Sequence, residues 1–143
     1  MKKIIAVVGS SNTDMIIKVP HLPKPGETIL GGEFIKAAGG KGANQAVAAA
    51  RAGGIVTFIA KVGYDIFGED AINGFVKDNI TVDFILRDKE TPSGVAQIFV
   101  ADDGENCIAV ASGANAKLSI QDITNARDKI KHADILLTQL ETP

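Results

Sequence analysis

Early in the chain stands the run Gly39-Gly40-Lys41-Gly42-Ala43-Asn44-Gln45-Ala46. Glycines let the backbone turn tightly and approach a ligand closely, because they carry no Cβ atom. The alanine-rich segment that follows predicts a helix over residues 43–52, which Gly53 and Gly54 end. We expect the first N–H groups of this helix to be unpaired and open to an oxygen-rich small molecule.

This run differs from two common phosphate-binding motifs. A Walker A loop has Ser or Thr after its lysine, whereas Gly42 follows Lys41 here. A dinucleotide-binding fingerprint has a third glycine where Gln45 stands. The plainer alternative is a glycine turn that only begins a packed helix. We favour a ligand site, because an inward-facing Lys41 and Asn44 would be awkward in such a turn.

Strands and helices alternate around the glycine-rich run. Three apolar runs rich in β-branched residues predict strands covered on both faces, at 4–8, 55–60 and 135–140. A second helix is predicted at 66–78. A third begins at Ser119, with Asp122 completing a capping box. Its predicted buried residues are Ile120, Ile123, Ala126 and Ile130. This order predicts an α/β fold, a Rossmann-like layered sheet with helices on both faces.

Other predicted strands interrupt that alternation. Segments 15–19 and 28–35 flank a proline-rich turn region, and segments 95–101 and 106–111 are joined by Asp102-Asp103-Gly104-Glu105, a hairpin signal. These strands predict a small antiparallel β-lid inserted twice, at about 13–36 and 94–112. A sheet of this size does not stand alone easily. We therefore expect it to cover a ligand cleft, a second copy of the chain, or both.

Composition narrows the class of protein. The 143 residues are 45% apolar and 22% charged, which is typical of a globular domain. With 15 basic and 17 acidic residues the net charge is −2, and no basic stripe predicts a nucleic-acid partner. No apolar run is long enough to predict a membrane span. Cys107 is single, so no internal disulfide is predicted, and a cytoplasmic location is favoured.

Polar residues follow the predicted parallel strands, where ligands collect in such sheets. Asn12 and Asp14 follow the first strand, Lys41 and Asn44 open the first helix, and Glu141 follows the last strand. Carboxylate, amide and ammonium groups together can bind neighbouring hydroxyls, so the set predicts a polyol site. Each residue also has a plainer interpretation, as a turn residue that bonds its own backbone or as a solvated side chain.

Several segments together resemble the ribokinase-like sugar kinase family, from end to end of the chain. They are Ser11-Asn12-Thr13-Asp14, Pro25-Gly26-Glu27-Thr28, Gly39 to Ala46, Gly104-Glu105-Asn106, Gly113-Ala114-Asn115 and Gln139-Leu140-Glu141. The double-glycine segment is similar to the first of the family's two signatures.

The resemblance implies ATP-dependent phosphorylation of D-ribose at its 5-hydroxyl, with Mg²⁺ and often K⁺ as an activator. It implies that ribose is held by Asn12, Asp14, Gly40, Lys41, Gly42, Asn44 and Glu141. Ile98 of the lid would touch the sugar. The lids of two subunits would clasp to form a homodimer.

The resemblance also implies that residues 1–143 are the N-terminal part of a single sugar-kinase domain. The sequence reaches Pro143 at roughly the midpoint of the family's chains and does not contain the second signature, Gly-Ala-Gly-Asp. The aspartate base and the nucleotide-binding half are expected beyond it, so these residues alone are expected to be inactive and to self-associate. Two alternatives stay open: another sugar or nucleoside kinase, such as a fructokinase, and a non-catalytic sugar-binding or dimerisation module.

Overall fold

In the computed structural model, which describes residues 2–143, eight strands form two four-stranded sheets. The strands are β1 (Ile4–Val8), β2 (Asn12–Val19), β3 (Phe34–Gly39), β4 (Ile55–Gly63), β5 (Thr81–Asp88), β6 (Gly94–Ala101), β7 (Asn106–Ala111) and β8 (Ile135–Thr138). The first sheet has the order β5-β4-β1-β8 and is parallel throughout.

Helices cover both faces of the parallel sheet. They are α1 (Lys41–Arg51), α2 (Ile66–Lys77), α3 (Ile120–Asn125) and α4 (Arg127–Lys131), with a short 3-10 helix at Gly113–Lys117. Adjacent strand residues point to opposite faces. Phe58 accordingly packs with Phe75 of α2, ring centroids 5.1 Å apart, whereas Ile59 packs against Ala126 between α3 and α4. The predicted α/β class with helices on both faces is confirmed.

The second sheet, the lid sheet, has the order β3-β2-β6-β7. It is mixed rather than purely antiparallel as predicted, because its two central strands, β2 and β6, run parallel. Both strands leave the parallel sheet from the same edge, so they must point the same way. The outer pairs are antiparallel, and the hairpin predicted between β6 and β7 forms with Gly104 at φ +90°.

The structure differs from the predicted secondary structure in three places. The strand predicted at 28–35 lies at 34–39, so the lid extends past residue 36 to Gly39, where β3 pairs with β2. The third helix is two short helices, and its predicted core residue Ile120 is 86% exposed. Strand β5 has no counterpart among the predicted strands, because Asp83, Arg87 and Asp88 interrupt its apolar pattern.

Candidate functional site

The lid sheet joins the parallel sheet at the carboxyl ends of its strands. Strand β1 leads through Ser10 and Ser11 into β2, and β3 returns through Gly40 into α1. The segment after β8 carries Glu141 to the same place, where its carboxylate meets Ser10 and Lys41. Residues that are up to 131 positions apart in sequence therefore meet at one edge of the sheet.

Glu141 is held by three donors. Its Oε2 atom accepts hydrogen bonds from the Ser10 hydroxyl at 2.5 Å and from the Lys41 backbone N–H at 3.1 Å. Its Oε1 atom is ion-paired with the Lys41 ammonium group. The hydrogen bonds from Lys41 and then Ser10 lower the pKa of Glu141 against the opposing effect of burial. Glu141 is therefore a fixed, ionised acceptor.

Asp14 is a second carboxylate, and its environment raises its pKa whereas that of Glu141 is lowered. Burial, followed by the charge of Glu141, raises the pKa of Asp14. The carboxylate lies over Gly39, where an added Cβ would stand 2.2 Å from Asp14 Oδ2. Ionised Asp14 is therefore poorly compensated, and a ligand with hydroxyl donors would relieve that cost.

Two glycines bring α1 close to the connection between β1 and β2. Gly40 has φ +93°, and a Cβ on it would lie 2.9 Å from the backbone of Ser10, Ser11 and Asn12. A Cβ on Gly42 would lie 2.6 Å from Ser10 N. Both positions thus require glycine because α1 packs directly against this connection. The predicted close approach of these glycines to a ligand stays a prediction.

The start of α1 is not open to an anion, and the sequence-based expectation is wrong here. Its first four N–H groups are all satisfied within the chain. Lys41 N–H donates to Glu141, Gly42 N–H to Ser10 Oγ, Ala43 N–H to Ser10 O, and Asn44 N–H to Gly40 O. Glu141 takes the place that a bound anion would occupy at a helix N-terminus. Ligand recognition at this edge must rely on side chains.

The remaining predicted residues surround this group. Asn12 is half-buried at the start of β2, and its Oδ1 accepts a hydrogen bond from Asn115 at 2.8 Å. Ile98 pairs with Ile16, two positions beyond Asp14 on β2, so Ile98 and Asp14 share one face of the lid sheet. That shared face places an apolar side chain on the same side of the lid sheet as the Asp14 carboxylate.

Asn44 and Lys41 differ from the sequence-based expectation, because both are exposed rather than inward-facing. Asn44 and Asn12 help to line a cavity of about 720 Å³ between α1, α2 and β3. Asp14, Lys41 and Glu141 do not line that cavity. The predicted set therefore divides into a connected group of Asp14, Lys41 and Glu141, and two amides beside it.

Sequence reasoning missed three residues that shape the site. Ser10 bridges Glu141 and α1, Gly39 makes room for Asp14, and Asn115 bonds to Asn12. The Gly113-Ala114-Asn115 segment does belong to the family resemblance, but its isolated pattern predicts only a turn. Their roles depend on contacts between segments distant in sequence.

Comparison with known proteins identifies the family. The sequence pattern of the pfkB family carbohydrate kinases matches residues 2–139. The chain belongs to this family. It is 46% identical over its full length to the ribokinase of Haemophilus influenzae, covering 47% of that protein. It is 41% identical over 96% of its length to the deoxyribokinase of Salmonella typhi, covering 45% of it.

Solved structures support the same relationship. The chain matches the Arabidopsis thaliana ribokinase complexed with ribose and ATP with a TM-score of 0.84 and 33% identity. The match covers 100% of this chain and 47% of that one. The chain thus spans about half the length of the curated relatives it matches.

The rest of the described fold has neither a metal centre nor a membrane-spanning helix. Within residues 2–143, no group of three His, Cys, Asp or Glu side chains is arranged to hold a metal ion. None of the helices formed by these residues is long and apolar enough to cross a membrane.

Proposed function

We propose that this chain forms the sugar-binding and lid part of an ATP-dependent ribokinase, which phosphorylates D-ribose at its 5-hydroxyl. The observation that carries this proposal is the meeting of Asp14, Lys41 and Glu141 at the strand ends, on the side of the lid that holds Ile98. The 46% identity to a ribokinase supports the choice of sugar.

The site residues have complementary roles in this proposal. Asp14 accepts hydrogen bonds from two neighbouring hydroxyls of the sugar, which compensates its ionised carboxylate. Glu141, already fixed by Ser10 and Lys41, adds a second acceptor, while Lys41 and Asn44 supply donors. Gly40 and Gly42 let the start of α1 pack against the connection between β1 and β2, which brings Lys41 to Glu141. Ile98 covers the ring and excludes water from its hydroxyls.

The nucleotide is assigned to residues outside 2–143. ATP, when bound with Mg²⁺, supplies the phosphoryl group that is transferred. The residues in hand do not fit its phosphates, because Glu141 and Ser10 already satisfy the start of α1. Residues 2–143 also contain no group of three His, Cys, Asp or Glu side chains arranged to hold a metal ion. We therefore assign Mg²⁺, the aspartate base and the phosphate cradle, and with them an activating K⁺, to residues of the kinase domain outside 2–143.

We also propose a homodimer formed through the lid. Two large apolar side chains on one face of β7 are exposed, Ile108 at 53% and Val110 at 56%, and Phe34 of β3, at 61%, is exposed on the opposite face of the lid sheet. A four-stranded sheet with apolar residues on its surface gains stability when a second copy covers it. A cytoplasmic location is consistent with the single Cys107, which is exposed and reduced there.

Calorimetric titration tests the choice of sugar. D-ribose, 2-deoxy-D-ribose, D-fructose and adenosine are titrated into the protein that carries this chain. We expect ribose to bind tightest and ATP-dependent turnover to give ribose phosphorylated at its 5-hydroxyl. Tighter binding of 2-deoxyribose would favour the deoxyribokinase specificity of the Salmonella relative. Tighter binding of fructose or adenosine would overturn the assignment, and binding without turnover would favour a non-catalytic module.

A further inference from the structure

Asn115 is a buried residue whose side-chain amide joins the segment after β7 to the connection between β1 and β2. It is 1% exposed and stands in the 3-10 helix that follows β7. Its Oδ1 atom accepts a hydrogen bond from Ser11 N–H at 2.9 Å, and its Nδ2 atom donates to Ser11 O at 3.1 Å. The same Nδ2 atom donates to Asn12 Oδ1 at 2.8 Å.

The polarity of this chain of hydrogen bonds is fixed by the backbone. Amide oxygen and nitrogen atoms cannot be distinguished by shape alone, so their assignment rests on their partners. Ser11 N–H can only donate and Ser11 O can only accept, which determines the two ends of the Asn115 amide. The Asn115 atom facing Asn12 is therefore the donor. The Asn12 atom facing Asn115 must then be the acceptor, Oδ1.

We infer that Asn115 is a positioning residue that makes Asn12 a hydrogen-bond donor to the ligand. This inference rests on the proposed sugar-binding function. With Oδ1 oriented towards Asn115, the Nδ2 group of Asn12 is on the side of the amide away from Asn115, where its hydrogens can donate to a ligand. Asn12 then donates to a ligand oxygen, whereas Asp14, two residues along the same strand face, accepts from a ligand hydroxyl. This pairing of a donor with an acceptor selects a ligand with adjacent oxygens of matching polarity.

Gly94 keeps the two amides in contact. It lies opposite Asn12 in the register of β2 and β6. A Cβ on Gly94 would lie 2.2 Å from Asn12 Oδ1 and 2.3 Å from Asn115 Nδ2. Its φ angle is outside the left-handed region, so alanine is tolerated by the backbone at this position. The added Cβ would meet the two amides first and, at 3.0 Å, the backbone oxygen of Ser112. Gly94→Ala is therefore a targeted way to separate Asn12 from Asn115.

Side-chain amide NMR tests the orientation directly. The Asn12 signal is assigned as the one that disappears in Asn12→Asp. In the free protein we expect the Nδ2 hydrogens of Asn115 to be protected from solvent exchange and those of Asn12 to exchange readily. On addition of D-ribose the Asn12 signals shift and become protected. The inference would be overturned if the Asn12 hydrogens were already protected in the free protein. It would also be overturned if the Asn12 signals did not change when ribose binds.

These measurements separate this inference from the proposed function. Absence of ribose binding overturns the function, while the exchange pattern of the free protein still decides the orientation of Asn12. Ribose that binds without moving the Asn12 signals overturns the inference and leaves the function intact.

A coupling experiment tests whether Asn115 acts through Asn12. We expect Gly94→Ala to raise the ribose Kd about tenfold, the loss of one well-placed hydrogen bond. In an Asn12→Ala background the same change should leave Kd unaltered, because a displaced Asn115 then has no Asn12 amide to position. Gly32→Ala is the control, since a Cβ there meets nothing within 4 Å. If Gly94→Ala raised the ribose Kd by the same factor in both backgrounds, its effect would be merely structural and the inference would be overturned.

Discussion

Glu141 accepts a hydrogen bond from the backbone N–H of Lys41 at 3.1 Å and is ion-paired with the ammonium group of the same residue. One side chain after β8 thereby holds both the start of α1 and its first charged residue. The Glu141 charge also acts on Asp14, whose pKa it raises. The two carboxylates are thus electrostatically linked, and a change in one is measurable in the other.

We first predict the effect of Glu141→Gln on the titration of Asp14. Burial is the larger cause of the raised pKa of Asp14 and the Glu141 charge the smaller. Removing that charge should lower the pKa of Asp14 but leave it above its ordinary value. Carbon-13 NMR of the Asp14 carboxyl group against pH measures this. An Asp14 pKa unchanged in the variant would show that the two carboxylates do not interact.

The same variant should change stability in a defined pH range. The pKa of Glu141 is lowered in the folded state, so its ionised form stabilises the fold above pH 4.5 and loses that effect as pH falls through the folded-state pKa. We expect Glu141→Gln to cost about 1 kcal/mol at pH 7, since Lys41 is largely exposed. The difference from the unchanged protein should vanish in acid, as followed by chemical unfolding. A difference that persists there would contradict this origin.

Asp14→Asn should weaken ligand binding and stabilise the protein at once. Losing a charged acceptor should cost about 1.5–3 kcal/mol of ribose binding. The raised pKa of Asp14 means that stability falls as pH rises from 3.8 through the folded-state value, so at pH 7 the neutral amide removes a cost. Calorimetry and thermal unfolding measure the two effects. Asp83→Asn on the exposed side of β5 is the control and should alter neither. A lower unfolding temperature for Asp14→Asn would contradict the prediction.

Gly39→Ala should weaken ribose binding without unfolding the protein. The added Cβ would stand 2.2 Å from Asp14 Oδ2, while the backbone of Gly39 is acceptable to alanine. Displacing this carboxylate should raise the ribose Kd about tenfold or more. Gly32→Ala again serves as the control. If Gly39→Ala binds ribose as well as the control does, Asp14 is not the acceptor that we propose.

Sequence patterns predicted the central architecture well, for a physical reason. Strands buried on both faces are continuous apolar runs, so β1 and β4 are visible in isolation. The capping box of Ser119 and Asp122 is local and was correctly predicted. Strand β5 lies at the sheet edge and carries charges, so its pattern is broken. Ile120 follows the helical period yet is exposed, and the predicted single helix is two short helices that meet at Ala126.

The sequence predicted which polar residues would meet at the strand ends, but not how they would be connected. Polar residues at strand ends identified Asp14, Lys41 and Glu141, since the topology of a parallel sheet brings such ends together. Nothing local indicated that Glu141 would fill the start of α1, because that contact joins segments 100 positions apart. The same holds for Asn115, which reaches Ser11 across 104 positions. Contacts of this kind follow from the fold as a whole.

The last prediction concerns the buried ion pair between Lys61 of β4 and Asp122 of α3. Their side chains are 16% and 11% exposed, and Lys61 Nζ lies 2.8 Å from Asp122 Oδ2. Lys61 Nζ also donates a hydrogen bond to Lys117 O at 3.0 Å. Burial opposes ionisation of Asp122, but hydrogen bonds from Lys61 and Ser119 outweigh it and lower its pKa. Lys61→Met leaves that carboxylate without its partner and should cost about 3 kcal/mol of unfolding free energy.

Lys36→Met is the matched control for this change. Lys36 and Asp70 form an ion pair at the same 2.8 Å distance, but both side chains are about half exposed. Water solvates the Asp70 carboxylate when Lys36 is removed, so the expected loss of unfolding free energy is below about 1 kcal/mol. Urea unfolding of both variants gives the comparison. Because the folded-state pKa of Asp122 is lowered, the cost of Lys61→Met should be present above pH 3.8 and shrink as the carboxyl group protonates in acid. Equal losses in the two variants would show that burial does not set the strength of these ion pairs.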